Sequence, residues 1–501
     1  METRYFCTSF EKNVVAPGFF VAALARSGVL GDTLGSFLCC AWSMTSLAVA
    51  MCILFDWNCL DFIVSARATY AVHCFVDIIM YWGLSTIIGD YGMISLLISF
   101  GLLASLIHTS KHYVYNATGP YGVGVRDIVV KGKTTPPVCI FYPIDKEEYL
   151  QNIDNEERTH IALLDGEDAI LGRVQGAIQA FEIPISKIAP RLPTSISLLT
   201  PVARDYYLYR IRAIIGSKLH KDFETGHKKL TPVIISHGIS SCREHFVTLA
   251  SMLASYGCIV YTLNHTDGSS IIGKDYSVKG SKHYNYNYYD RKKKVDSFGN
   301  KYEHDEFRLK FLNGRMDDIE TVLDYIKDQS IKEYKHIDLD KIVSMGHSMG
   351  GMTCIEMAKK FDKDFKICIS FDPYFCARHK DIEKSDDYYI KQPLALVNTY
   401  KFDYSPFMDY DQVKVHKKFI TNCRAKGSKE IYDIELEDSA HLSCIDEALI
   451  NTTFTNLINM IGKASTAGER LEEHGHIALS FLEKNGFLPV NTGLKPNQHL
   501  E

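Results

Sequence analysis

Asp340 to Phe361 reads DKIVSMGHSMGGMTCIEMAKKF, and the reading of its centre decides the fold. An apolar run at 341–345 meets Gly346-His347-Ser348-Met349-Gly350, and a stretch with helical spacing follows over 350–361. A Gly-x-Ser-x-Gly pattern alone arises by chance on the order of one time in ten in a chain of this length and glycine content. Strand, sharp turn and helix in that order are what a nucleophile elbow requires. Gly346 and Gly350 flank the serine because a side chain there would strike the neighbouring strand and helix. Ser348 would then stand at the carboxyl end of a parallel strand, where ligands bind in open α/β sheets. The helix N-terminus beneath it favours negative charge.

Outward from this stretch, β-branched runs alternate with helical ones. TPVIISHG (231–238) is followed by the helical REHFVTLASMLASYG (243–257) and then by CIVYTLNH (258–265). Val247, Ala250, Leu253 and Ala254 share one helical face, with Gly257 as the C-cap residue. The spacing predicts further helices over 311–329, 350–361 and 444–461, and strands over 341–345, 366–371, 394–398 and 431–436. This alternation implies βαβ units, an α/β class and a mostly parallel sheet flanked by helices. Residues 148–230 fit the pattern less well and read as an insertion near the active-site mouth. The tail after about 487 reads as disordered.

The first 110 residues differ in character. Residues 33–55 carry no charge and are long enough to cross a bilayer, and 92–109 form a second uncharged stretch. Between them 68–89 is apolar but contains Asp77, which at that depth should face a partner helix. The expectation is an N-terminal membrane region with about three transmembrane helices over 1–110. A catalytic domain over 117–465 and a C-terminal helix and tail over 466–501 would follow. The apolar matter continues too far for a cleavable signal peptide. The Lys and Arg bias flanking these runs is too small to set an orientation.

Bulk composition narrows the function classes. With 46% hydrophobic residues, 23% charged residues and a net charge of −5, the chain is globular and has no global attraction to nucleic acid. The basic run Arg291–Lys294 behind HYNYNYYD reads as a solvated loop rather than a single-strand binding surface. The 14 cysteines lack the paired spacings of a zinc site and read as free thiols. No feature specifies an oligomer.

A serine nucleophile needs a base, and the base an orienting acid, in the order Ser, Asp or Glu, His for this architecture. His441 lies just after the strand at 431–436 and before a helix. His416 and His379 follow no strand and read as exposed surface. Two acids end strands: Asp372 after FKICISF and Asp403 after PLALVNTYKF. An oxyanion hole needs two backbone N–H groups. Met349, the residue after the serine, supplies one. The SHGIS stretch (236–240) makes the Ile239 amide the other, with His237 positional rather than a general base.

These ordered motifs, TGPYGVGVRDI (118–128), CIFYPID (139–145), PVIISHGISSCREHF (232–246), YGCIVYTLNHTDGSS (256–270), GHSMGGMT (346–353), FKICISFDPYF (365–375) and EDSAHLSCID (437–446), resemble the platelet-activating factor acetylhydrolases of the lipoprotein-associated phospholipase A2 type. The resemblance covers roughly 117–462. It implies an α/β-hydrolase fold and a triad of Ser348, Asp372 and His441, choosing Asp372 over Asp403. It also implies oxyanion amides at Ile239 and Met349, and a structural role for His265–Ser269. The activity it implies is calcium-independent hydrolysis of the sn-2 acyl ester of platelet-activating factor-like or short-chain or oxidised phospholipids, with neither metal nor cofactor required. Two other readings are a general carboxylesterase or thioesterase on the same fold, and an inactive hydrolase-like membrane scaffold. Relative to the family, the chain departs by its apparent membrane helices, by 148–230 and by the 372–441 spacing.

Overall fold

The computed structural model describes residues 117–159, 211–270, 273–274, 284–285, 304–328, 335–400, 402–404, 410–450, 467–494 and 497–500. The expected membrane stretches at 33–55, 68–89 and 92–109 and the centre of the 148–230 segment lie outside these residues. Among the described residues, no helix is long and apolar enough to cross a membrane.

A nine-stranded sheet forms the core. Its strands are β1 (Gly122–Val129), β2 (Pro137–Ile144), β3 (Ile214–Ile215), β4 (Thr231–Ser236), β5 (Cys258–Leu263), β8 (Ile342–His347), β9 (Phe365–Phe371), β10 (Leu394–Thr399) and β11 (Ile431–Leu436). A separate ladder pairs β6 (Gly273–Lys274) with β7 (Tyr284–Asn285). The order is β11-β10-β9-β8-β4-β5-β2-β1-β3. Within the nine-stranded sheet β2 runs antiparallel to β1 and β5, and every other pairing is parallel. The α/β class with a mostly parallel sheet follows from this order.

The central strands β4, β5 and β8 are buried at every position, which explains their uninterrupted apolar runs: helices cover both sheet faces. Edge strand β11 instead alternates, burying Ile434 and Leu436 while Asp433 and Glu435 face out.

The helices that frame the site are α2 (Val247–Ser255), α3 (His304–Lys327), α4 (Met349–Lys360), α5 (Gln412–Lys426) and α6 (Ala467–Lys484), after a short α1 (Lys146–Asn152). The sequence pattern marks one apolar face on α2, yet all nine of its residues are buried, Thr248, Ser251 and Ser255 included. Helix α6 packs against it and closes the outer side. Gly257, at φ 94°, ends α2 as expected.

One expectation changes here. The tail is packed rather than disordered: Phe487 and Leu500 are buried, the Thr231 hydroxyl donates to the Phe487 carbonyl, and Lys341 Nζ donates to the Gly486 carbonyl at 2.7 Å. Ile214–Ile215 pair with β1 at the sheet edge, and β4, β5, β2 and β1 separate that edge from β8. Among the described residues, eight cysteines are present, all buried and unbridged.

Candidate active site

The chain turns sharply where β8 hands over to α4. Ser348 holds φ 59° and ψ −122°, a conformation that disfavours side chains and is retained only where surroundings over-determine it. Those surroundings are explicit. Ser348 N donates to the Phe371 carbonyl at 2.9 Å, and the Ser348 carbonyl accepts from Tyr374 N at 2.9 Å and Met352 N at 3.1 Å. Neighbouring strand β9 and helix α4 thus lock the turn from both sides.

The flanking glycines are steric necessities. A Cβ on Gly350 would stand 2.0 Å from the Ser236 carbonyl oxygen, and one on Gly346 would stand 2.1 Å from that of Gly350. Both obstacles are backbone and cannot rotate away. Gly350→Ala is therefore expected to cost on the order of 3 kcal/mol or more, read as a lowered urea midpoint or loss of folded protein. A wild-type midpoint would contradict the elbow packing.

Asp372, buried and at φ 43°, follows β9 directly. Its Oδ1 accepts from Thr399 N at 2.6 Å, and its Oδ2 accepts from Thr399 Oγ1 at 2.7 Å and from His441 Nδ1 at 2.9 Å. With Nδ1–H committed to the carboxylate, Nε2 of His441 is left as the basic nitrogen. Two rings press on that imidazole: Phe402 at 4.4 Å and nearly parallel (9°), and His347 at 4.4 Å and tilted by 39°. His347 Nε2 donates to the His441 carbonyl at 2.8 Å, fixing the loop that carries the base. Burial, then the charge of His441, drives the His347 pKa well below the ordinary histidine range. A neutral neighbour places no second positive charge beside the imidazolium that forms.

His347, Asp372 and His441 bring their donor atoms within 4.8 Å of one another. Zinc ligands at about 2.0–2.1 Å from a tetrahedral ion would stand about 3.3 Å apart. Asp372 already accepts three hydrogen bonds, one of them from His441, so its carboxylate is committed to orienting that ring.

The third component is the loop after β4. A Cβ on Gly238 would stand 3.1 Å from Ser348 Cβ, so this loop lies directly against the serine. Ile239 follows it, half-buried, and Met349 is fully buried at the first turn of α4, where N–H groups have no intrahelical acceptor. His237 is fully buried and donates from Nδ1 to the Gly238 carbonyl at 2.6 Å. Burial, then the nearby Arg315 charge, pushes its pKa well below the usual value.

His416 and His379 are not exposed surface, because helices as well as strands carry inward-facing histidines. His379 is half-buried, with Nδ1 2.9 Å from the Cys376 carbonyl and its ring stacked on Tyr410. His416, on α5, is buried and bridges Asp403 (Nδ1 to Oδ2, 2.6 Å) and Asp433 (Nε2 to Oδ1, 2.9 Å). Asp403, the acid set aside, is thus engaged with a different histidine. Burial opposes charge on His416, but the hydrogen bonds to Asp403 and Asp433 outweigh it and carry its pKa to about 9.

This sets a pH dependence with a definite sign. The folded value lies above an unfolded value of about 6.5, so the contribution is full below pH about 6.5 and is lost as pH rises through about 9. It amounts to on the order of 3 kcal/mol. The urea midpoint of the wild type should fall over that window, and His416→Gln should flatten the fall. Parallel pH profiles for the two proteins would refute it.

Two site residues carry no motif: Thr399, which fixes the carboxylate, and Phe402, which packs on the base; His347, which holds the loop, occupies a variable position of the elbow pattern. The only sequence signal for Thr399 is a hydroxyl residue ending the strand parallel to the one that Asp372 follows.

The sheet order, with its single antiparallel strand and a serine at a strand–helix elbow, is that of an α/β-hydrolase-like fold. The profile of the family "Platelet-activating factor acetylhydrolase, isoform II" matches residues 209–493, more than half of the chain. The chain belongs to that family. It is 26% identical over 245 residues to the platelet-activating factor acetylhydrolase of Cavia porcellus, covering 46% of this chain and 52% of that one. To the Bos taurus protein of the same name it is 25% identical over 290 residues, covering 54% and 58% respectively. The chain therefore spans between half and three-fifths of the length of these relatives. Among solved structures, a ferulic acid esterase from Streptomyces cinnamoneus superposes with a TM-score of 0.49 at 15% identity, covering 77% of this chain and 95% of that one.

Proposed function

We propose that the chain is a serine esterase that cleaves the sn-2 acyl ester of phospholipids resembling platelet-activating factor, or of short-chain or oxidised phospholipids. One observation carries this reading: the family match over 209–493 encloses a buried Asp372 bonded to His441 beside an elbow serine. His441 Nε2 takes the proton of Ser348 Oγ as that oxygen attacks the acyl carbonyl, while Asp372 holds the ring in orientation. The amides of Ile239 and Met349 receive the oxyanion. Collapse expels the lysophospholipid alcohol, protonated by His441, and water then releases the acyl group by the same path. Side chains and amides meet every developing charge, so turnover is calcium-independent.

The uncharged stretches at 33–55 and 92–109, with 68–89 between them, anchor the chain in a membrane and keep the site at a lipid interface. Carbonate extraction tests the anchor: the chain stays with the vesicle pellet, and release into the supernatant would overturn it. For the chemistry, short-chain, oxidised and long-chain phosphatidylcholines and simple esters are compared with EDTA present. Turnover of short or oxidised sn-2 chains, undiminished by the chelator, supports the reading. Turnover confined to simple esters or thioesters replaces it with a general esterase.

A further inference from the structure

Beneath the candidate oxyanion loop lies a buried polar cluster that the triad chemistry does not use. At its centre is Arg315 of α3, fully buried, whose five N–H groups can all be placed on acceptors. Nε donates to Asp267 Oδ2 at 3.1 Å. Nη1 donates to the His237 carbonyl at 2.5 Å and faces the Ser236 and Thr353 hydroxyls, each at 3.4 Å. Nη2 donates to Ser269 Oγ at 2.7 Å and faces the Gly238 carbonyl at 3.4 Å. The fork therefore ties together the loop after β4, the loop after β5 and the elbow helix.

The geometry around Ile239 gives that fork a purpose. The Ile239 N–H belongs to the same planar trans peptide as the Gly238 carbonyl and points the opposite way. Whatever fixes that carbonyl therefore aims the N–H. The His265 amide donates to His237 Nε2 at 3.2 Å, so that nitrogen is an acceptor and the proton resides on Nδ1. Nδ1–H then donates to the Gly238 carbonyl at 2.6 Å, and Arg315 holds the carbonyl before it and approaches the same one. On the far side, Ser240 N donates to the Ser269 carbonyl at 2.8 Å, while Ser269 Oγ donates to Asp267 Oδ1 at 2.7 Å. Ile239 is clamped on both flanks by groups that converge on one guanidinium.

We propose that Arg315, acting through Ser269 and Asp267, is the positioning residue of the oxyanion hole, orienting the Gly238–Ile239 peptide so that its N–H meets the tetrahedral intermediate. The proposal rests on the esterase reading above. A lysine cannot replace the fork, since an ammonium offers three donors from one point.

The test is steady-state kinetics of the full chain, normalised to active sites titrated with a fluorophosphonate, for wild type, Arg315→Lys and Ser269→Ala. Arg315→Lys should lower kcat per titrated site by about 10²-fold, the usual effect of losing one oxyanion donor, with KM little changed. Affinity for an alkyl boronic acid should fall in parallel. That probe bonds Ser348 Oγ to boron and becomes a tetrahedral anion as the proton passes to His441. Affinity for a non-hydrolysable ether phospholipid should not change. Ser269→Ala removes one hydroxyl and should shift kcat and boronate affinity together, by less, so the proposal stays testable if Arg315→Lys does not fold. Unchanged kcat per titrated site in both variants would overturn it, as would equal weakening of the boronate and ether ligands. Failure of wild type to hydrolyse esters would instead overturn the esterase reading, so the two failures are distinguishable.

Discussion

Ser348→Ala should lower kcat by on the order of 10⁶-fold, the scale seen when a triad nucleophile is removed from a hydrolase whose binding and oxyanion groups remain. The reason lies in what stays behind. Asp372, His441 and the Ile239 loop keep their contacts, because the bonds that hold the turn use the backbone of Ser348 rather than its hydroxyl. Global stability should therefore move by no more than about 0.5 kcal/mol, the ordinary range for a substitution that breaks no buried contact. Catalysis and folding separate cleanly at this position. Thermal unfolding and ester turnover on the same preparation check it. Retained turnover would contradict the assigned role, and a collapsed unfolding temperature would contradict the backbone account of the elbow.

Asp372→Asn should cost about 10⁴-fold in kcat, because it inverts the histidine tautomer. The direction follows from donors already in place. The Thr399 amide donates to Oδ1 and cannot rotate, so the single oxygen of asparagine must stay there. Its NH₂ group then occupies the Oδ2 position, facing the Thr399 hydroxyl and His441 Nδ1. The hydroxyl can turn and accept. Nδ1 can accept only by losing its proton, which moves to Nε2, the nitrogen that must be basic. Lower pH cannot restore the activity, whereas a loss due to a mere pKa change would show a displaced pH–rate profile. Asp403→Asn, by contrast, disturbs the His416 bridge and should lower stability below pH about 9, where His416 is charged, with little effect above it.

Much of this arrangement is legible in the sequence, for reasons that differ by element. The strands β4, β5 and β8 announce themselves because two covered faces demand unbroken apolar runs. The elbow is readable because backbone stands 2.0–2.1 Å from where side chains at 346 and 350 would begin. Asp372 and Asp403 are a harder pair. Both follow strands, and only the bond to His441 in one case and His416 in the other separates them. Thr399, Phe402 and Arg315 leave no local signal, since each matters through a partner distant along the chain; His347 sits in the elbow pattern, but its bond to the His441 carbonyl does not show there. The packed tail is similarly hidden: Phe487 opens only the short run FLPV and Leu500 stands among polar residues, and both are buried by tertiary contacts.

The most direct measurement is peptide mass spectrometry after labelling the full chain with a fluorophosphonate. The account predicts one phosphonyl adduct, on the peptide containing Ser348, absent in Ser348→Ala and slowed in His441→Gln. Labelling elsewhere, or equal labelling of wild type and Ser348→Ala, would contradict it.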